Sequence, residues 1–254
     1  MITFKLVITP ILIAAATLAA RRWGPTVGGW FAGLPLTSGP VSVFLAIEQG
    51  RPFAATAARS SILGLVGVAA FCVAYARAAQ RFGPVACLGV GFVCYAAATL
   101  LSHAIGGGPW VVFAIVCGVL VASLVAMPRV QRADAEGAPP WWDLPLRIVA
   151  ATSMVLAITT AAASLGPTWS GLLSPFPVFS SVLAAFAHHM SGAAAAARLQ
   201  RGVVAGIFSF AAFFLVVALL VESRPLSATY LSAAAVALAV NTVSLVALWR
   251  AKPS

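Results

Sequence analysis

Apolar runs of about twenty residues, separated by short polar joints, occupy nearly the whole chain. Crossing a hydrocarbon layer of ~30 Å takes about 20 helical residues. The runs predict nine spans, at residues 4–20, 25–47, 55–77, 83–103, 109–127, 144–163, 167–189, 202–221 and 227–248. The joints carry Arg21-Arg22, Arg51-Pro52, Arg77 with Arg81, Gly106-Gly107-Gly108-Pro109, Gly166-Pro167, the stretch Ser191–Arg201, and Glu222-Ser223-Arg224-Pro225. One long polar stretch, Pro128–Asp143, reads as a linker, with Trp141-Trp142 as interface anchors at its end.

Helix breakers inside these runs follow a pattern. Gly24-Pro25-Thr26-Val27-Gly28-Gly29 leads into Gly33-Leu34-Pro35-Leu36-Thr37-Ser38-Gly39-Pro40, and a shift of 142 residues lays a second copy on it. Gly166-Pro167-Thr168 falls on Gly24-Pro25-Thr26, Gly171 on Gly29, Pro177 on Pro35, Ser180 on Ser38 and Gly192 on Gly50. Further along, Arg201 falls on Arg59, Gly206 on Gly64 and Ala211-Ala212-Phe213 on Ala69-Ala70-Phe71, and upstream Arg147 falls on Lys5. The matches are mainly Gly, Pro, Ser and Arg, so shared apolar composition does not explain them, and the chain reads as a duplicated unit. Nine spans then divide as four, one and four. The fifth, 109–127, has no counterpart, and by crossing once it makes the second unit enter from the opposite side. The expected fold is an all-α polytopic membrane protein with an inverted repeat. Residues 1–106 form the first four-helix unit, 107–143 the linking helix and linker, and 144–254 the second unit.

Composition strengthens the membrane reading and removes others. Apolar residues make up 62% of 254 and charged residues only 8%, against roughly 25% charged in a soluble domain. A net charge of +10 would suggest nucleic acid in a soluble protein, but here no basic face with interleaved aromatics exists, which argues against it as a partner. The basic residues instead mark sidedness. With nine spans, one side holds 11 of them (Arg21, Arg22, Arg77, Arg81, Arg129, Arg132, Arg147, Arg198, Arg201, Arg250 and Lys252) and the other holds 4 (Lys5, Arg51, Arg59 and Arg224). The richer side is expected in the cytoplasm, with the C-terminus, and the N-terminus outside. The first run has the look of a cleaved signal, yet its repeat counterpart, Arg147–Ala162, lies mid-chain, so it is expected to be a retained helix. Cys72, Cys87, Cys94 and Cys117 all sit within apolar runs and read as small buried hydrophobes. Arg outnumbers Lys 13 to 2 and Ala is abundant, a bias seen in bacterial genomes of high GC content.

Candidate chemistry concentrates at the two broken helices. Pro35, Pro175 and Pro177 each remove a backbone donor near mid-span, where lipid offers the freed carbonyls no partner, so the irregular backbone must be buried or line a wet cavity. Thr37, Ser38, Ser180 and Ser181, with Phe179 beside them, are the expected substrate site between the two breaks. The alternative is a pair of Pro-kinked helices whose hydroxyls relieve the backbone. Arg59 and Arg201, repeat-equivalent on opposite faces, are expected either as gates or anion contacts or as headgroup-snorkelling residues. Glu48 borders a span and either binds a cation at the outer mouth or pairs with Arg51. His188-His189 and His103 lie across the bilayer from one another and do not converge on a metal. Asn241 suggests an interhelical hydrogen bond. No HExxH, P-loop, activated Ser or pair of carboxylates within a span occurs, so neither an enzyme nor a cofactor is expected.

The stretch Gly171-Leu172-Leu173-Ser174-Pro175-Phe176-Pro177-Val178-Phe179-Ser180 resembles the signature of the GlpM family, small bacterial inner-membrane proteins of four helices. The first-half version, residues 25–38, looks like a related uncharacterised family of four-helix membrane proteins. The resemblance covers about a third of the chain and implies a tandem fusion in a bacterial inner membrane. The histidine that the family carries shortly after Pro-Phe is replaced here by Ala184. Together these readings point to a transporter-like or flippase-like permease for a small neutral solute or an amphiphile. The alternative is a non-transporting structural or assembly factor of the membrane.

Overall fold

The computed structural model describes residues 2–35, 38–128, 140–162, 172 and 174–250, with side chains for residues 7–35, 38–128, 140–157, 172 and 174–246. The described secondary structure is helical throughout: α1 (Ile2–Trp23), α2 (Pro25–Ala32), α3 (Ser38–Glu48), α4 (Arg51–Ala78), α5 (Pro84–His103), α6 (Pro109–Ala126) and α7 (Asp143–Ala162). α8 (Val178–Leu220) and α9 (Leu226–Arg250) follow.

The starts of these helices follow from sequence. Gly24-Pro25, Gly50-Arg51-Pro52, Gly83-Pro84 and Gly108-Pro109 each place a proline in the first turn, where its missing N–H costs nothing and its fixed φ already suits the helix. α8 is two helices joined at Gly192, which stands at φ 78, ψ −179. Gly50, just before α4, takes nearly the same conformation at φ 88, ψ 166. Only glycine adopts this region without strain, and it breaks the helix within a single residue. The expected joint at Ser191–Arg201 is therefore corrected. After Gly192 the run Ala193–Ala197, made of the strongest helix former, starts the next helix at once, and Arg198, Gln200 and Arg201 lie within it. The helix limits recur at the sequence spacing. Residues 51–78 correspond to 193–220, and the starts at Pro84 and Leu226 also lie 142 apart.

Five described helices are long and apolar enough to cross a membrane: Arg51–Ala78, Pro84–His103, Pro109–Ala126, Val178–Leu220 and Leu226–Val246. Two of them are central. In α4 and α8 72% of the most apolar window is buried inside the protein, against 28% in α5 and 22% in both α6 and α9. The outward faces stay apolar all the same. Val85, Val93, Leu101, Val125, Leu231 and Val243 are each at least 70% exposed. A surface this apolar all round would associate in water, and it is what a lipid solvent requires. The chain is an α-helical membrane protein.

The central helices pack against most of the others. α4 lies against α5, α6 and α8, while α8 lies against α2, α9 and α6. α1 packs between α2 and α7. The core is rich in Ala with a few large side chains, Tyr75, Phe71, Phe214 and Ile62 among them, all fully buried. Small residues let helices approach closely, which matters in lipid because apolar burial alone does not drive helices together there.

Candidate functional site

The first break runs from Gly33 to the start of α3, and its approach is a close backbone contact. Gly29 lies against the Leu199 carbonyl and Gly33 against the Val203 carbonyl and Gly206. From the other side, Gly202 lies against the Thr26 carbonyl and Gly206 against the Trp30 carbonyl. Two Gly-x-x-x-Gly ridges, 29/33 and 202/206, thus interlock with no side chain between them. Trp30 Nε1 adds a hydrogen bond to Ser244 Oγ of α9 at 2.9 Å. α3 is fastened to α9 in turn, since Tyr230 donates to the Ser42 carbonyl at 2.8 Å and its hydroxyl also lies 2.9 Å from Ser42 Oγ.

The second break, residues 174–177 before α8, rests on the first half. Gly64 of α4 lies against the Leu172 carbonyl and the Pro175 ring. Phe176 stacks on Phe92 with centroids 5.5 Å apart and meets Tyr95 edge-on at 5.0 Å. Tyr95 also donates to the Leu172 carbonyl at 3.4 Å. Each break is thus seated on the central helix of the opposite half. The contact of Gly206 with Trp30 recurs as that of Gly64 with Leu172, both partners moved by 142 residues.

The sequence-predicted hydroxyls are drawn into this packing. Ser38 Oγ donates to the Ser174 carbonyl at 3.3 Å, directly linking the two broken segments. Ser180 Oγ donates to the Pro177 carbonyl at 3.2 Å and Ser181 Oγ to the Val178 carbonyl at 2.9 Å. All three residues are buried, and Phe179 is partly buried against the core. These serines relieve the backbone at the breaks. Pro35 stands in the first break, its carbonyl accepting from Gly39 N–H at 2.9 Å. Thr37 lies outside the described residues.

Arg59 and Arg201 are placed together by one element, though not with each other. Arg59 donates to the Gly107 and Ile105 carbonyls at 2.9 and 3.0 Å, just before α6. Arg201 donates to the Leu124 carbonyl at 3.0 Å, in the last turn of α6. The repeat-equivalent arginines therefore clasp opposite ends of the linking helix, and their guanidiniums cap free carbonyls. Glu48 is exposed at the end of α3. Its expected pairing with Arg51 is not made, since the ion pairs among the described residues are Arg21–Asp143 and Arg147–Asp143. Asn241 also departs from expectation, because its side-chain oxygen is buried without a partner. All four cysteines are free; Cys72 and Cys87 are buried, Cys94 and Cys117 half-buried. Tyr75 hydroxyl lies 3.4 Å from His188 Nδ1, and among the described residues no group of three His, Cys, Asp or Glu can hold a metal ion.

Sequence reasoning missed a second polar centre. Asp143, fully buried at the start of α7, accepts from Arg21 Nη2 at 2.8 Å through one oxygen and from Arg147 Nε at 2.9 Å through the other. Arg147 lies over the Phe186 ring at 4.9 Å. A cavity of about 50 Å³ opens beside them, lined also by Thr17, Pro25 and Ser191. The i, i+4 spacing of Asp143 and Arg147 was legible as a helix pair, whereas Arg21 is 122 residues away in sequence. Gln200, on the central helix, is fully buried with neither amide atom partnered.

No family model matches the chain, and no curated protein or solved structure matches it either.

Proposed function

We propose that the chain is a permease of the bacterial inner membrane, moving a small neutral solute or an amphiphile by alternating access around residues 33–40 and 174–181. The observation that carries this reading is the reciprocal seating of the two breaks, Gly206 on Trp30 and Gly64 on Leu172. Inverted-repeat transporters build their sites where discontinuous helices of the two halves meet, and they work by rocking one half against the other. The matching helix limits and the shared conformation of Gly50 and Gly192 support a duplicated unit. Arg59 and Arg201, at opposite ends of α6, support its inversion. The buried serines correspond in this reading to a closed state, and opening would release Ser38 from the Ser174 carbonyl. The resemblance to GlpM proteins fits the same four-helix unit.

One observation favours the non-transporting reading, a packing or assembly factor. Ser38, Ser180 and Ser181 each have the hydroxyl on a backbone carbonyl, as kinked packing helices require. Uptake and growth profiling of a deletion strain complemented with variants separates the two. Ser38→Ala and Ser180→Ala each remove one hydrogen bond worth roughly 1 kcal/mol within a membrane, so melting should barely move while transport falls. Pro35→Ala and Pro177→Ala should reduce transport further, because they refill the backbone ladder at the break. Full transport in both serine variants overturns the site, and a substrate profile unchanged by deletion overturns the permease.

Sidedness is a separate expectation. Reporter fusions at Ser254 and within the linker 128–143 should both report the cytoplasm, with the N-terminus outside. A periplasmic linker would remove the inverted arrangement and the main argument for alternating access.

A further inference from the structure

We infer that the parts which move against each other are two bodies that exchange helices between the repeats, hinged at Gly50 and Gly192, an arrangement whose use in transport rests on the alternating-access reading above. Close contacts sort the helices. In the first body, α2 is locked to residues 193–220 by the reciprocal glycines 29, 33, 202 and 206, and α1 closes on α2 where Gly28 meets the Ala16 carbonyl and Ala20. α9 joins through Trp30 and Ser244, and α3 through Ser42 on Tyr230 and Gly39 on the Phe213 ring. In the second body, α4 and α5 lock where Gly67 meets Thr99 and Tyr95, and where Gly91 meets Phe71. Leu172 and residues 174–191 are held on these two helices at both ends. Gly64, Phe92 and Tyr95 seat the break, and the Tyr75 hydroxyl meets His188 at the far end. α7 follows them, since Ser181 donates to the Met154 sulfur and Arg147 lies over Phe186. α6 is fastened to α4 at its two ends, by Arg59 to the Gly107 carbonyl and Arg77 to that of Ala126.

The division obeys the repeat. A shift of 142 residues lays 2–48 on 144–190 and 51–103 on 193–245. Each body therefore combines the opening helices of one repeat with the closing helices of the other. The chain passes between the bodies at Gly50 and at Gly192, which are repeat-equivalent and share one conformation. Their surroundings are open where those of the seam glycines are closed. A Cβ at Gly192 would meet nothing within 4 Å, and one at Gly50 only the Pro52 ring at 3.9 Å. Hinges of this kind are a few element-terminal residues that absorb the φ/ψ change. The boundary between the bodies is also looser than their interiors. Among the described glycines none lies against the backbone of the other body. A cavity of about 50 Å³ opens there, with Ala20, Pro25 and Leu199 of the first body facing Asp143, Ala187 and Met190 of the second. The polar contacts across the boundary include Arg21 on Asp143, Ser38 on the Ser174 carbonyl and Arg201 on the Leu124 carbonyl. Interlocked backbones move as a unit because close packing is not continuously deformable, whereas these side-chain contacts can release.

The test measures distances between paired spin labels by electron paramagnetic resonance, on the whole chain in lipid nanodiscs with Cys72, Cys87, Cys94 and Cys117 replaced by alanine. His189→Cys with Arg81→Cys joins opposite repeats within the second body. His189→Cys with Val246→Cys joins two positions of one repeat across the bodies and reads the Gly192 hinge. All three positions are exposed. No substrate is needed, because Ser38→Ala combined with Arg201→Gln releases two of the contacts across the boundary. That release should move the His189–Val246 distance by about 5 Å or more, the scale of a one-turn shift between packed elements. The His189–Arg81 distance should stay within about 2 Å, as in parts that do not rearrange. Movement of His189–Arg81 beside a fixed His189–Val246 would mean that the repeats rock as units, which overturns the exchange and leaves the permease reading standing. Movement of both pairs overturns it as well, since the bodies would not be rigid. No movement of either pair overturns the hinged motion and alternating access together. Should the double variant lose its cooperative melting, Ser38→Ala alone carries the same comparison.

Discussion

Replacing Gly202 by valine should leave little folded protein. A Cβ at that position meets the Thr26 carbonyl and the Trp30 amide nitrogen, and across the seam Gly29 is already against the Leu199 carbonyl. These obstacles are backbone, so no rotamer change relieves them. α2 would have to lift away from α8, which also strains the Trp30–Ser244 hydrogen bond. Overpacking in a core costs about 1–3 kcal/mol when side chains can yield. Here two backbones must separate, so roughly 3 kcal/mol or more is expected, a large share of the ~5–15 kcal/mol that holds a domain together. The matched comparison uses alanine. Gly118 on α6 has nothing near its missing Cβ, so Gly118→Ala should raise stability by about 0.5–1 kcal/mol through helix propensity alone. Gly202→Ala makes the same chemical change and should lower it. Thermal unfolding in detergent reads both, and equal shifts for the two alanine variants would show that the seam is not a close contact.

The broken helices were legible because Gly and Pro are costly in apolar sequence and therefore informative. Gly33 and Pro35 marked the first break, and Gly24-Pro25, Gly83-Pro84 and Gly108-Pro109 marked helix starts almost to the residue. What sequence did not mark is where polarity stops meaning a joint. Arg198, Gln200 and Arg201 looked like a loop between spans, yet they follow five alanines and lie inside α8. The single residue Gly192 does the work assigned to the whole stretch, because a positive φ interrupts the helix without a loop. The glycines at 29, 33, 202 and 206 stand in the sequence at four-residue spacing, but nothing there says that they face one another. That depends on helix rotation, which an all-round apolar helix leaves unspecified. The motif serines were expected to face a shared site, and Ser38 does reach the second motif. Its partner there is a carbonyl, because a break buried in protein has backbone acceptors to satisfy first. Arg59 and Arg201 belonged together for a reason no spacing shows, since the ends of α6 lie between them.

Asp143→Ala should be the most damaging single change away from the glycine seam. The carboxylate is fully buried and accepts from both Arg21 and Arg147 at 2.8 and 2.9 Å. Removing it takes the paired carboxylate away from the buried Arg147 guanidinium, and breaking a buried pair by removing one partner costs roughly 3–5 kcal/mol. The contact over Phe186 offsets about 1–2 kcal/mol of this. Arg21 is in a different position. Its side chain is 34% exposed and can turn outward, so Arg21→Gln should cost at most about 1 kcal/mol of stability. If the penalty comes from the charge that loses its carboxylate, removing that charge too should recover most of it. Asp143→Ala combined with Arg147→Met fills the site with an apolar chain of similar length beside Phe186 and should lie within about 1–2 kcal/mol of the parent. A double-mutant cycle on melting in detergent would then give a coupling of about 2 kcal/mol or more between Asp143 and Arg147. An Asp143→Ala variant as stable as the parent, or a double variant no better than the single, would mean that the carboxylate does not hold α1 and α7 together. In that case the tie between the first helix of the chain and the first helix after the linker rests on packing alone.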